Sequence, residues 1–231
     1  MGAMSGIRLE KVWFRYGKGR WVLKDVTVEM GDAGITAVVG PNGAGKTTLL
    51  KIASIIYRPV RGRVIAFGTD PWVLGEGERL SLRRRVVYVH EKPILLRGTV
   101  ERNVMFGLEI RGIRKEEARE IVRAVAEELG ITELLGHDVR HLSAGQGVLV
   151  SIARALAVDP RVLVLDEPFA HLDYRRRGAL LSLLRRLRDE GKGLIVSTHD
   201  THLMMRVADK VVVVDYEGVR EGPPSLLDEF S

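Results

Sequence analysis

Residues Gly40–Thr48 read G-P-N-G-A-G-K-T-T and lie between an apolar run, Ile35–Val39, and a helix-like run, Lys46–Ile55. The spacing fits G-x-x-x-x-G-K-[ST], a loop that cradles phosphates where a strand turns into a helix. Its glycines, Gly40, Gly43 and Gly45, with Pro41, Asn42 and Ala44 between them, let successive backbone N–H groups face an anion at a helix start. Lys46 is expected to reach the β- and γ-phosphates. Thr47 is expected to hold Mg²⁺, and Thr48 completes the nucleotide-contacting run. No other stretch restricts the fold so tightly, because this loop needs a parallel α/β setting.

A second run agrees with it. Val162–Glu167 reads V-L-V-L-D-E, four apolar residues followed by two carboxylates. Such a run suits a strand buried on both faces of a parallel sheet. Ligands of open α/β sheets bind beyond the carboxyl ends of such strands. Asp166 is expected at Mg²⁺, and Glu167 is expected to polarise an attacking water. Lys46 and Asp166 stand 120 residues apart in one chain of alternating pattern, and together they point to a nucleoside triphosphate.

The rest of the chain supports an α/β fold. Ile7–Phe14, Val22–Met30, Val64–Gly68, Val86–Val89, Leu194–Ser197 and Lys210–Val214 read as strands. Arg111–Leu129, Val148–Ala157, Arg176–Asp189 and Thr201–Val207 read as helices. Ile121, Val122, Val125 and Leu129 form the apolar face of the first of these helices. Met1–Ser5 reads as a cloning remnant before an internal start at Met4. The 231 residues contain no cysteine, which excludes disulfides and thiolate metal sites. No apolar run approaches the roughly 18 residues needed to span a bilayer, and no secretory signal is visible, so a cytoplasmic place is expected. The net charge of +6 comes from 27 Arg and 9 Lys against 30 acidic residues. The arginines are scattered rather than arranged in one stripe, so a solvated surface is expected and no nucleic acid. One Gln, Gln146, and two Asn are present. Scarce amides and abundant Arg and Glu are a thermophile tendency. Gln146 and Asn42 nevertheless both fall in candidate nucleotide-contact segments.

Leu142–Gln146, L-S-A-G-Q, lies 20 residues before Asp166 and resembles the signature of ATP-binding cassette ATPases. Y-V-H-E at Tyr88–Glu91, A-H-L-D at Ala170–Asp173 and S-T-H-D at Ser197–Asp200 follow the family order, so the resemblance spans nearly the whole chain. It implies a P-loop NTPase with a mostly parallel core sheet, an N-terminal antiparallel β subdomain and a helical signature subdomain. The core would take residues 5–91 and 158–231, and the helical part residues 92–157. The resemblance implies ATP and Mg²⁺ as ligands and a head-to-tail homodimer around two ATPs. Tyr16 would stack on adenine. Ser143 and the Gly145 N–H, with Gln146 beside them, would meet the γ-phosphate bound to the partner chain. His199 would bridge γ-phosphate and partner, and Asp173 would touch the opposite chain.

Three residues or runs depart from the family. Glu91 stands where glutamine is usual, and a carboxylate there can bind Mg²⁺. Gly147-Val148-Leu149 replaces a polar run, and Ala170 replaces serine. Glu91–Arg111 resembles importer cassettes, most of all those for tungstate, molybdate and similar anions. The resemblance therefore implies the energy subunit of an importer, peripheral on the inner face of the cell membrane. Its partners would be membrane permease subunits and, through them, an extracytoplasmic solute-binding protein. Two alternatives stand beside this reading. One is a soluble cassette in cluster assembly or repair, although Thr48 and Leu142 stand only 94 positions apart with no sustained heptads, unlike the long coiled coil that repair members carry there. The other is a weakly hydrolysing regulatory cassette.

Overall fold

The computed structural model describes residues 6–31 and 33–230, with side chains through 228; Met1–Ser5 lies outside the described residues. Strands β1 (Ile7–Phe14), β2 (Leu23–Met30) and β4 (Arg61–Ala66) form an antiparallel sheet of order β2-β1-β4. Alternation builds it: Leu23, Val26, Val28 and Met30 are buried, while Lys24, Asp25, Thr27 and Glu29 face water.

The second sheet has the order β5-β6-β7-β3-β8-β9. Its members are β3 (Gly34–Val39), β5 (Val86–Val89), β6 (Val162–Asp166), β7 (Gly193–Ser197), β8 (Lys210–Val214) and β9 (Val219–Gly222). All neighbours are parallel except β8 and β9. The inner strands are buried on both faces, and side-chain alternation divides them between two cores. Ile35, Ala37, Val39, Leu163 and Leu165 join the helices on one side. Val38, Val162 and Val164 pack against the antiparallel sheet and helix α1 (Lys46–Ala53) on the other.

Between β5 and β6 the described chain is helical: α3 (Val100–Ile110), α4 (Lys115–Glu128) and α5 (Ala144–Ala157), with short 3₁₀ turns at Thr132–Leu134 and Val139–His141. Helix α6 (Tyr174–Asp189) precedes β7, and α7 (Thr201–Met205) follows it.

The sequence-based boundaries need correction here. The helix expected over Arg111–Leu129 begins at Lys115, because Gly112 takes φ +76° and turns the chain between α3 and α4. The buried stripe of α4 is Ala118, Val122 and Ala126; Ile121, Val125 and Leu129 only flank it. Helix α3 itself was not anticipated. Thr99 caps it by accepting from the Arg102 N–H, and Val100, Val104, Met105 and Leu108 are its buried face. Helix α2 (Glu76–Arg83) buries no residue and carries only two leucines, Leu80 and Leu82, and β9 is four residues long; neither was expected. The strand placed at Val64–Gly68 runs Arg61–Ala66. Helix α5 starts four residues earlier than Val148, capped by Ser143.

The loops after β3, β6 and β7 leave the sheet at one edge. That edge carries the phosphate-loop motif, the acidic pair and His199.

Candidate nucleotide site

The loop from β3 to α1 is built on glycine. Gly40, Gly43 and Gly45 have φ of 144°, 82° and 112°. A Cβ on Gly40 would lie 1.9 Å from the Val214 carbonyl oxygen of β8, so the loop can pack there only without a side chain. Lys46 is 7 % exposed and curls back over the loop. Its Nζ donates to the carbonyls of Gly40 (2.8 Å) and Pro41 (3.2 Å) and stands 3.9 Å from Glu167.

Asp166, at the end of β6, is 2 % exposed and is held by three hydroxyls. Thr47 Oγ1 donates to its Oδ2 at 2.8 Å and Tyr88 Oη to the same oxygen at 2.7 Å, while Ser197 Oγ donates to Oδ1 at 2.6 Å. Burial, and then the Asp166 charge, push the Tyr88 phenol well above its ordinary value, so Tyr88 stays a donor. Glu167 follows in left-handed backbone, φ +47°, a conformation that costs a non-glycine residue on the order of 1–3 kcal/mol. Its carboxylate lies 3.0 Å from His199 Nδ1.

These groups line one cleft of about 540 Å³. Asn42, Gly43, Gly45, Lys46, Thr47 and Thr48 form its floor. Asp166, Glu167, Glu91, Ala170 and His199 close one side, and Tyr16 and Val22 the other. The Tyr16 hydroxyl is hydrogen-bonded to Thr48 Oγ1 at 2.9 Å, with its ring half exposed, and Phe14 and Tyr57 hold the ring edge-on. Trp13 and Trp21 pack on each other instead. Glu91 lines the cleft without a hydrogen bond or ion pair among the described residues, and its charge acts on the Tyr88 phenol.

The residues suit Mg²⁺ bound together with a triphosphate. Thr47 Oγ1 and Asp166 Oδ2 are a hydroxyl–carboxylate pair at the mouth of the phosphate loop. No cluster of three or more acidic or histidine ligands exists among the described residues. Mg²⁺ is commonly held by one or two carboxylates plus substrate phosphates, rather than by an all-protein cage.

Of the expected contact residues, Gly40, Pro41 and Ala44 belong to the phosphate loop but do not line the cleft, Ala44 being buried in the core, and four others lie elsewhere. Ser143 and Gln146 form a capping box at the start of α5: Ser143 Oγ accepts from the Gln146 N–H, and Gln146 Oε1 accepts from the Ser143 N–H. Asp173 caps α6 by accepting from the Arg176 N–H. Gly145 packs so closely on the loop after Glu167 that a Cβ would sit 2.6 Å from the His171 carbonyl oxygen. The start of the signature helix is thus braced against His171 in the Ala170–Asp173 loop, whose first residue, Ala170, lines the cleft. Val148 and Leu149 are buried, so the apolar replacement in the signature helix serves packing.

Sequence reasoning did not single out Tyr88 and Ser197. Each is the polar exception near the end of an apolar strand, V-V-Y-V and L-I-V-S, and that exception was the available signal.

Comparisons with known proteins agree with this geometry. The ABC transporter family profile matches residues 23–170. The chain is 39 % identical over 212 residues to a probable anion import ATP-binding protein of Haloferax volcanii, covering 86 % of this chain and 73 % of that protein. It is 36 % identical to the phosphate import ATP-binding protein PstB 2 of Natronomonas pharaonis, covering 89 % and 76 %. A solved dimeric ATP-binding cassette in a post-hydrolysis state, bound to ADP and phosphate, superposes with a TM-score of 0.87 at 26 % identity, over 94 % of this chain and 98 % of that one. With the phosphate loop, the acidic pair, the histidine and the signature helix all in place, the chain belongs to the ABC transporter family of ATP-binding cassettes.

Proposed function

We propose that this chain binds and hydrolyses Mg-ATP as a head-to-tail homodimer and thereby drives solute import through separate membrane permease subunits. One observation carries the reading. Lys46, Thr47, Asp166, Glu167 and His199 converge in one cleft, while exposed Ser143 and Asp173 sit outside it. One chain therefore provides only part of an enclosure for ATP, and a second copy can provide the rest.

Phosphoryl transfer requires mainly positioning and charge neutralisation. The loop N–H groups and Lys46 hold the β- and γ-phosphates. Thr47 and Asp166, with Glu91 in reach of the same space, would hold Mg²⁺, which offsets phosphate charge when bound. Glu167 accepts a hydrogen bond from the attacking water, and His199 fixes the carboxylate that does so. Water adds to the γ-phosphorus as the bond to the ADP oxygen breaks, giving ADP and phosphate. Tyr16 offers its exposed ring to adenine. Ser143, the Gly145 N–H and Asp173 act on the partner's nucleotide, and the start of α5 adds its positive end.

The permease would be met away from ATP. A groove of about 570 Å³ is lined by Leu80, Ile94, Phe106 and Ile110, with Arg111 and Arg154 in its wall. Burial lowers the pKa of both guanidiniums; Arg154 donates to the Ile94 carbonyl, and Arg111 to those of Val158 and Arg84. Tyr88 and His90, which lead into Glu91, line the groove, so a helix seated in it would feel movement of the nucleotide site. No helix among the described residues is long and apolar enough to cross a membrane, and the chain would sit on the inner face through this contact. Residues 92–157 would move as the helical unit between the two sites.

The cargo would be an oxyanion, with tungstate or molybdate the specific candidates, delivered by a solute-binding protein. The import names of the anion and phosphate relatives support this class. The intact Lys46, Asp166, Glu167 and His199 speak against a non-hydrolysing regulatory cassette. Co-expression with candidate oxyanion permease subunits tests the reading. Co-purification and cargo-stimulated ATP turnover are expected; turnover with no permease association would favour the soluble alternative.

A further inference from the structure

Ser197 is the only polar residue of β7, whose other members are glycine, leucine, isoleucine and valine, and it is 0 % exposed. A buried hydroxyl is costly unless its hydrogen bonds are made. Here both are made to the acidic pair. Oγ–H donates to Asp166 Oδ1 at 2.6 Å, and the same oxygen accepts the Glu167 N–H at 2.9 Å. One hydroxyl thus joins the carboxylate at the metal-facing position to the backbone of the residue that faces water. Glu167 needs such a hold because its left-handed backbone is disfavoured for a glutamate. Its carboxylate is restrained by His199, two residues beyond Ser197 on the same chain segment.

We infer that Ser197 is a positioning residue for hydrolysis: it locks Glu167 in its left-handed conformation and ties that conformation to the orientation of Asp166. The inference rests on the reading of Glu167 as the group that polarises water. Asp166 keeps Thr47 and Tyr88 on its other oxygen when Ser197 is removed. The effect should therefore fall on Glu167, and so on kcat, more than on nucleotide or metal binding. A misplacement of about 1 Å in a reacting group can cost on the order of 10²-fold in rate.

The test compares Ser197→Ala, Ser197→Cys and Glu167→Gln with the parent. Cysteine nearly keeps the volume while offering a weak donor and acceptor, so it covers the case in which alanine does not fold. The readouts are kcat, ATP affinity by calorimetry and half-saturating Mg²⁺. Expected is a fall in kcat of at least about tenfold for alanine and a smaller fall for cysteine. ATP affinity and the Mg²⁺ midpoint should stay within about twofold of the parent, since no phosphate or metal ligand is removed. Parent-like kcat in both Ser197 variants, with Glu167→Gln inactive, would overturn the role of Ser197 alone. A parallel loss of kcat and ATP affinity would overturn it in favour of a purely structural serine. Parent-rate turnover by Glu167→Gln would overturn the underlying reading of Glu167, and the inference with it.

Discussion

Replacing Lys46 by alanine should weaken ATP binding by roughly 10- to 150-fold. An ammonium has three donors. Two of Lys46's are committed to the Gly40 and Pro41 carbonyls, which set the Nζ at the mouth of the loop and leave one donor for phosphate. A hydrogen bond to a charged group contributes about 1.5–3 kcal/mol, and each 1.4 kcal/mol is tenfold in affinity, which gives that range. The site is poorly able to compensate. Lys46 is the lysine beside Glu167 in the cleft, 3.9 Å away, and without it the carboxylate faces the triphosphate with only His199 as partner. The glycine loop keeps its backbone N–H groups, so binding should weaken rather than vanish. Calorimetric titration with Mg-ATP, on protein shown to be folded by its melting curve, measures the effect. Equal affinity in parent and mutant would refute the assignment of the loop.

Glu91 should act on the metal. If its carboxylate contributes to Mg²⁺, Glu91→Gln should move the Mg²⁺ concentration for half-maximal hydrolysis more than it moves ATP affinity. Superimposable Mg²⁺ curves would rule that role out, and a faster mutant with an unchanged midpoint would indicate repulsion of the γ-phosphate. Tyr88→Phe removes one of three hydroxyls from Asp166 and should lower stability by about 1–2 kcal/mol, or roughly 2–8 °C in Tm for a chain of this size; an unchanged melting curve would refute the contact. Because the folded Tyr88 pKa is raised above 10.0, the fold keeps a proton that the unfolded chain gives up. Its stabilising contribution is complete below pH 10 and declines above it. Absorbance titration should accordingly show one of the five tyrosines ionising only with unfolding, and ionisation of all five in folded protein would contradict it.

The site was legible where chemistry fixes both residue type and spacing. Gly40, Gly43, Gly45, Lys46 and Thr47 sit in one short segment whose backbone the pattern itself dictates. Asp166–Glu167 and His199 were visible as polar residues at or just past the ends of apolar strands. That Tyr88, Thr47 and Ser197 all converge on Asp166 was not visible, because it depends on β5 and β7 flanking β6 and on α1 lying beside them. The order of strands in a parallel sheet is not written in any local period. Helix α3 escaped notice for a different reason: Val100, Val104, Met105 and Leu108 follow a loop, and the sharp turn at Gly112 is hidden between two helix-like runs. Asn103 shows why its start is firm. Fully buried, it bonds the Leu96 N–H and carbonyl and the Thr99 carbonyl, and so locks the segment leading from Glu91 into α3.

The central claim is that Glu167 promotes attack of water on ATP held between two copies of this chain. Glu167→Gln keeps the side chain's size and removes its charge, so it should retain ATP affinity, lose turnover and remain trapped with nucleotide. Light scattering on a sizing column with Mg-ATP measures this directly. The account predicts a stable dimer of the mutant with Mg-ATP and mostly monomer without nucleotide. A mutant that stays monomeric in Mg-ATP, or that hydrolyses ATP at the parent rate, would contradict it.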